Sequence, residues 1–234
     1  MLILAVDTST RSRSLAILQD NRVLAEVHDT EESPYSERFF HDLGELQALH
    51  SFQIREIDLF AVAAGPGSFT GLRVGLTAVK GWAEVHRKPI AAVSALDAVA
   101  IQTRDEEANL AAFIDARRGH VFGAIYRREQ QGLGRIERIG EEVLVPATEF
   151  LSLASKACGA GLTLLVSPTP EAISAAVTDS GLSGTQVERV SGALAPFIGT
   201  LGCLKALKGE LVDSLTLDAN YVRRPDAELY LKSV

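Results

Sequence analysis

A glycine-rich stretch, AAGPGSFTGLRVG at residues 63–75, joins an apolar strand-like segment to a segment with a helical pattern. Such loops can cradle phosphates, but a Walker A loop needs a lysine followed by Ser or Thr, and the nearest lysine is Lys80. Position 70 is Thr, where both a dinucleotide fingerprint and a GxSxG nucleophile elbow centred on Ser68 would need glycine. The stretch therefore matches no catalytic or phosphate motif, although the N–H groups of a helix start can hold an anion without lysine.

The spacing of the same residues favours a structural role. Gly67, Ser68 and Thr70 suit a turn and a helix N-cap, and Gly71 and Gly75 lie four residues apart on one helical face. Glycine inside a helix costs about 0.5 to 1 kcal/mol relative to alanine, so close packing must offset the loss. The element packed there belongs either to this chain or to a partner, and the residues leave both possibilities open.

Two aspartates occupy matching places in the two halves of the chain. Asp7 ends the apolar run at 2–6, and Asp115 ends the apolar run at 110–114. Each is followed by a strand, a polar turn and another strand, which is the pattern of an internal duplication. We expect an α/β fold with two lobes, 1–103 and 104–234, and allow for a C-terminal segment that returns to the first lobe.

The remaining elements follow from hydrophobic periodicity. A helix is predicted from Pro34, capped by Ser33, to His50, and a second helix over 72–86 follows the glycine loop. Residues 167–184 are rich in Ser, Thr, Pro and Gly and are predicted to be less regular. Further strands are predicted at 14–18, 23–27, 59–64, 89–93, 121–126 and 162–166, together with one that ends at 145. Further helices are predicted at 94–103, 146–157 and 193–208.

Composition and charge restrict the function. The formal net charge is −7, so free nucleic acid should bind weakly unless basic residues gather on one face. The two cysteines form no ligand pattern, and the five histidines include no HxxxH pair, so we expect no metal site. With no basic leader and no long apolar run, the chain is predicted to be cytoplasmic and without a membrane anchor.

Five segments, taken together and in order, resemble the bacterial TsaB (YeaZ) family. They are ILAVDTST at 3–10, GPGSFTGLRVG at 65–75, VSALDA at 93–98, IDARRGHVFGAIY at 114–126 and NYVRRPDAE at 220–228. The resemblance spans nearly the whole chain, and GPGSFTGxRxG followed by IDAR is a specific combination. It implies a duplicated fold of the actin, hexokinase and Hsp70 (ASKHA) type, with a mixed sheet flanked by helices in each lobe.

The resemblance also implies a function. Such a protein takes part in forming N6-threonylcarbamoyladenosine (t6A) at position 37 of tRNAs reading ANN codons, as a non-catalytic scaffold that pairs with and activates TsaD, with the ATPase TsaE joining. A homodimer through the same helices is also plausible. The first-lobe helices would supply the docking face, where the glycine stripe would serve close helix packing. Its expected residues are Phe39, Phe40, Leu43, Leu46, Phe69, Thr70, Gly71, Leu72 and Gly75.

A nucleotide site is the main alternative. ATPases of this fold place an aspartate at the end of the first strand, so Asp7, Ser9, Thr10 and Asp115 could form a degenerate site for weakly bound ATP or ADP in a free-standing protein or weak ATPase. Alternatively, each carboxylate accepts hydrogen bonds from its own turn. A metallopeptidase is disfavoured because no histidine pair is present. Contact with tRNA is expected only within a complex, through Arg223 and Arg224.

Overall fold

The structure, a computed structural model, describes residues 1–29, 35–103, 109–128, 136–158, 164–180 and 185–222. Within these ranges no helix is both long and apolar enough to cross a lipid bilayer. The strands are β1 (Leu2–Asp7), β2 (Arg13–Gln19), β3 (Arg22–Asp29), β4 (Leu59–Gly65), β5 (Ile90–Ser94), β6 (Leu110–Arg117), β7 (His120–Arg128), β8 (Ile136–Pro146), β9 (Leu164–Ser167) and β10 (Gln186–Arg189). The helices are α1 (Tyr35–Leu49), α2 (Phe69–His86), α3 (Ala95–Ala100), α4 (Ala147–Cys158), α5 (Glu171–Ser180) and α6 (Ala195–Lys208), and a short 3-10 turn covers Ile54–Glu56.

The strands form two five-stranded sheets with the same topology. The first sheet has the order β3-β2-β1-β4-β5 and the second has the order β8-β7-β6-β9-β10. In each sheet the first three strands of the unit pair antiparallel, and the last two join in parallel. The internal duplication predicted from the two aspartates is therefore confirmed, because β1 and β6 hold equivalent central positions.

The first sheet is covered on both faces. Alternate residues of a strand point to opposite faces, and Ile17 and Phe60 pack with α1 and α2 in one apolar core. Their neighbours Leu18 and Ala61 face α6 instead, where Gly199 and Gly202 allow close approach. Helices α1 and α2 thus share one face of the sheet, and α6 occupies the other.

The chain divides into two units at positions that differ from the predicted junction. The first unit contains Met1–Ala98 and everything from Gly192 onward, and the second contains Val99–Ser191. The sequence analysis had placed one junction at 103/104 and had allowed for a C-terminal segment of 104–234 that returns to the first lobe. The return is longer than a terminal segment, because it includes α6, which is closely packed against β1, β2 and β4 of the first sheet.

The segment predicted to be irregular contains regular structure. Residues 171–180 form α5, and β10 follows at 186–189. Pro170 precedes the helix, and Ile173 and Ala176 bury one face of α5 in the core of the second unit. Pro and Ser composition suggested a loop here, but proline is well tolerated at a helix start. The predicted cap Ser33 and helix start Pro34, and the polar turn at 130–134, lie outside the described residues.

Candidate functional site

An apolar groove of about 500 Å³ lies between α1 and α2 of the first unit. Phe39 at its base is buried, and its ring packs against Phe40 at 5.4 Å and Trp82 at 6.0 Å between ring centroids. Phe40 is 63% exposed, although large aromatic side chains usually gain free energy from burial. The lining residues are Phe39, Phe40, Phe69, Thr70, Arg73, Val74, Thr77 and Ala78.

Local sequence fixes the start of α2 beside this groove. Ser68 is the N-cap, and its side-chain oxygen accepts a hydrogen bond from the backbone N–H of Gly71. The backbone N–H of Ser68 donates to the carbonyl of Ser9 at 2.7 Å. A Cβ on Gly67 would lie 2.2 Å from that same carbonyl oxygen, so only glycine fits there. The N-cap predicted from the sequence is confirmed.

Gly75 serves packing within the unit rather than a partner interface. A Cβ at this position would lie 2.5 Å from Oγ1 of Thr8 and 3.2 Å from Cγ1 of Val6. Gly71 is also buried. The prediction that Gly75 belongs to the docking face is therefore wrong. The face of α2 that carries Gly75 lies against the end of β1.

The predicted docking residues fall into two groups. Leu43, Leu46 and Leu72 are buried in the core of the first unit and cannot form a docking surface, and Phe39, also in that core, reaches only the floor of the groove. The prediction was wrong for them because a helix buries its most apolar stripe against its own sheet. The accessible members, Phe40, Phe69 and Thr70, lie along the groove instead, and their place in a complex stays a prediction.

Sequence reasoning missed two further side chains at the rim of the groove. The guanidinium carbon of Arg73 lies 3.8 Å from the centroid of the Phe69 ring, a cation–π distance. Tyr221 lies on the same ring at 5.1 Å, and Nε of Arg73 donates a hydrogen bond to its hydroxyl at 3.4 Å. Arg73 stands within the GLRVG motif, but its contact with Tyr221, 148 positions away, gives no local signal.

Asp7 is the last residue of β1 and is completely buried. Its Oδ1 accepts hydrogen bonds from the backbone N–H of Ser9 at 2.8 Å and from the Ser9 hydroxyl at 2.6 Å. Its Oδ2 is buried with no hydrogen-bond partner among the described residues. Burial raises the pKa of Asp7 to about 6, against the two hydrogen bonds from Ser9 that lower it.

Asp115 repeats this turn in the second unit. Its Oδ1 accepts a hydrogen bond from the backbone N–H of Arg117 at 2.7 Å, just as Asp7 accepts from the residue two positions ahead. The side chain of Asp115 is 27% exposed and lies 3.6 Å from a guanidinium nitrogen of Arg117. The expectation that each carboxylate bonds to its own turn is confirmed, and the nucleotide interpretation of these residues is untested.

A charged network holds α1 on the first sheet. The buried Arg13 of β2 pairs with Asp29 at 2.8 Å and approaches Asp42 of α1 at 3.8 Å. His41 and Glu45 flank Asp42, and ligand-type atoms of these three residues lie within 4.8 Å of one another. His41 and Glu45 are exposed and Asp42 already faces Arg13, so this network accounts for the group without an ion.

The other predicted sites lie elsewhere. Thr10 is partly buried, and its hydroxyl donates to the carbonyl of Ser12 at 3.4 Å. Thr8 and Ser9 are almost fully buried beside Asp7, whereas Arg11 in the same turn is exposed. Arg223 and Arg224, predicted to contact tRNA, lie outside the described residues.

The comparison with known families decides the assignment. The model of the TsaD family, described as tRNA N6-adenosine threonylcarbamoyltransferase, matches residues 34–196, more than two thirds of the chain. The chain belongs to this family. This membership, together with the matches to named relatives, confirms the resemblance drawn from the five sequence segments.

Two curated relatives carry the same name, "tRNA threonylcarbamoyladenosine biosynthesis protein TsaB". The chain is 31% identical to the Bacillus subtilis (strain 168) protein over 153 residues, 65% of this chain and 66% of that protein. It is 32% identical to the Escherichia coli (strain K12) protein over 148 residues, 62% of this chain and 63% of that protein. The alignments span slightly less than two thirds of either relative.

A solved structure extends the likeness over nearly the whole chain. YeaZ from Pseudomonas aeruginosa superimposes with a TM-score of 0.78 at 23% identity, covering 94% of this chain and 99% of that one. At this identity the match shows the fold. The predicted architecture, a duplicated α/β fold with two mixed sheets flanked by helices, is thereby confirmed.

Proposed function

We propose that the chain is a non-catalytic subunit of the machinery that forms t6A at position 37 of tRNAs reading ANN codons. In this proposal it pairs with a TsaD-like catalytic subunit and activates it, and a TsaE-like ATPase joins the pair. The observation that carries the proposal is the exposed aromatic groove between α1 and α2, in a chain whose curated relatives are named for this pathway. Exposed apolar surface of this kind is typical of a protein interface.

The absence of a catalytic role is part of the proposal. Asp7, the residue equivalent to a metal-holding aspartate in ATPases of this fold, is buried and bonded to Ser9. Asp115 is bonded to the backbone of its own turn. Carboxylates held in this way support a structural role, because a general base must reach its substrate.

A nucleotide-binding protein or weak ATPase is the alternative, and one observation favours it. The buried Oδ2 of Asp7 has no partner among the described residues, and such an atom is costly unless something satisfies it. Titration with ATP and magnesium, repeated with Asp7→Ala, tests this alternative. Saturable binding that the substitution abolishes would support a nucleotide site. The absence of any heat of binding on titration of the unmodified chain would exclude such a site.

The first experiment measures the mass of the complex. Light scattering after size exclusion, on this chain alone and mixed with the TsaD-like subunit from the same source, should give a one-to-one species that displaces any homodimer. The mixed species should raise t6A formation on tRNA above that of the TsaD-like subunit alone, measured as the modified nucleoside after digestion. A failure to form a mixed species, with ATP and magnesium present, would overturn the proposal.

A matched pair of variants locates the interface. Thr77→Arg places a long charged side chain in the groove, and should weaken pairing at least about tenfold because that side chain occupies the space of the partner and its charge loses water on binding. Gly81→Arg adds the same side chain to the same helix at an exposed position with nothing within 4 Å of an added Cβ. Equal pairing by both variants would place the partner elsewhere.

The role of tRNA is tested separately. We propose that tRNA contacts this chain only within the complex, because a net charge of −7 opposes binding of a polyanion by the chain alone. Changing Arg223 and Arg224 to Glu should then weaken tRNA binding by the assembled complex and lower its salt dependence. Unchanged affinity and salt slope would remove both residues from the contact.

A further inference from the structure

Among the described residues, one charged side chain lines the α1–α2 groove. Seven of its eight lining residues are uncharged, and the eighth is Arg73. No carboxylate lines the groove among the described residues, and Arg73 forms no ion pair with any of them. The protein has a net charge of −7, whereas the exposed side chain of Arg73 makes the charge of the groove positive.

The Arg73 side chain is held in a defined position. Its guanidinium group stacks on Phe69, and its Nε donates to the hydroxyl of Tyr221. This leaves the two terminal nitrogens for another acceptor, because a guanidinium carries five N–H donors. A planar guanidinium stacked on an aromatic ring loses little further freedom when it binds a carboxylate in two-pronged fashion.

The chain preceding Tyr221 anchors it firmly. The side chain of Leu217 is buried in the core of the first unit, and the backbone N–H of Asn220 donates to the carbonyl of Ala64 at 2.7 Å. Gly65 is required beside this contact, since a Cβ there would lie 2.5 Å from the carbonyl oxygen of Asn220. Residues 217–221, the strap, therefore fix the rim of the groove from the far end of the sequence.

We propose that the groove binds a partner segment that presents a large apolar side chain and, next to it, an Asp or Glu whose carboxylate pairs with Arg73. The apolar side chain fills the space between Phe40 and Phe69, and the carboxylate meets the free edge of the guanidinium. Tyr221 is a positioning residue that holds Arg73. This inference rests on the proposed function, since it describes the surface that the TsaD-like subunit must offer.

A protein carboxylate fits this site better than a nucleic-acid phosphate. Binding of a phosphate backbone draws on several cations arranged along its path, whereas this groove offers one cation among aromatic and aliphatic groups. Interface hot spots commonly combine aromatic side chains with arginine in a desolvated pocket. The groove thus has the composition of a protein-binding hot spot.

The test measures the affinity of the TsaD-like subunit for variants of this chain by calorimetry at two salt concentrations. Arg73→Gln should weaken binding about 30-fold, as expected for a hot-spot arginine, and should lower the salt dependence. Arg73→Lys, which keeps the charge but loses the planar fork, should fall between. The matched control Arg55→Gln, an exposed arginine on the 3-10 turn outside the groove, should bind as the unmodified chain does.

The strap is tested by a conservative pair. Tyr221→Ala removes the ring that packs on Phe69 and should weaken binding about threefold to tenfold, whereas Tyr221→Phe keeps the ring and should restore most of the affinity. The thermal midpoints of both variants should match, because Tyr221 is 37% exposed. A loss of affinity that follows the loss of stability would mean that Tyr221 acts only on folding.

The outcomes separate this inference from the proposed function. Full affinity of Arg73→Gln together with weak binding of Thr77→Arg would overturn the carboxylate pairing and leave the docking groove in place. No binding by the unmodified chain would overturn the proposed function and this inference with it. Loss of tRNA binding in the assembled complex, without loss of subunit affinity, would show that Arg73 meets a phosphate and would also overturn the inference.

Discussion

Replacement of Gly75 by alanine tests the packing of α2 on the first sheet. The added methyl would lie 2.5 Å from Oγ1 of Thr8, a side chain that is 2% exposed, and 3.2 Å from Cγ1 of Val6. Thr8 therefore has little room to move away. Overpacking of this kind costs about 1 to 3 kcal/mol, whereas alanine gains about 1 kcal/mol over glycine from helix propensity.

A control on the same helix isolates the packing cost. Gly81 also lies within α2, but nothing lies within 4 Å of an added Cβ, so Gly81→Ala should raise the free energy of unfolding by about 0.5 to 1 kcal/mol. Because both variants gain the same propensity, the difference between them is the overpacking cost of about 1 to 3 kcal/mol. Urea denaturation, followed by circular dichroism, measures both.

A double variant identifies the clashing atom. Thr8→Ala removes Oγ1 and Cγ2 of Thr8, so Gly75→Ala should cost less in the Thr8→Ala background than in the native one. The double-mutant cycle should give a favourable coupling of about 1 kcal/mol. If Gly75→Ala stabilises the protein as much as Gly81→Ala does, α2 does not approach β1 closely and the reasoning fails.

Two further perturbations test the buried carboxylate and the placement of α6. Since burial raises the folded-state pKa of Asp7 from 3.8 to about 6, the folded chain holds the proton between these pH values. The free energy of unfolding should therefore fall by about 3 kcal/mol as pH rises through that window. Urea denaturation of Asp7→Asn should lack this loss, and parallel pH profiles of stability for Asp7→Asn and the unmodified chain would contradict the raised pKa of Asp7. In α6, Gly202→Ala places a Cβ 2.6 Å from that of Ala61 and should lower the free energy of unfolding by about 1 to 3 kcal/mol. Gly44→Ala, at a helical glycine in open space, should not lower it. Equal urea midpoints for the two variants would contradict the close packing of α6 on β4.

Local chemistry made much of the fold predictable. Asp20, in the turn between the two predicted strands at 14–18 and 23–27, adopts a positive φ of 53°, a conformation that aspartate tolerates. Ser94 accepts hydrogen bonds from the first backbone N–H groups of α3 as an N-cap. Both signals act over two or three residues. The duplication was also readable, because the two aspartates end equivalent strands.

The misses arose where burial or distant contacts decide the structure. The helix α5 was obscured by Ser, Thr and Pro composition, although the duplication itself predicts a helix in the place equivalent to α2. The helical period identified the apolar faces of α1 and α2 but could not tell which side chains meet their own sheet. Tyr221 reaches Arg73 across 148 positions, and no local pattern encodes such a contact.

The glycine loop contributes to the docking groove indirectly. Gly67 and Gly75 bring the start of α2 against the turn at Thr8 and Ser9, while the groove lies along α2 where it meets α1. A methyl group at Gly75 that moves α2 away from β1 would also change the width of the groove. Gly75→Ala should therefore weaken pairing with the TsaD-like subunit in proportion to its loss of stability, and both losses should be smaller in the Thr8→Ala background. Arg73→Gln, in contrast, should weaken pairing with stability unchanged.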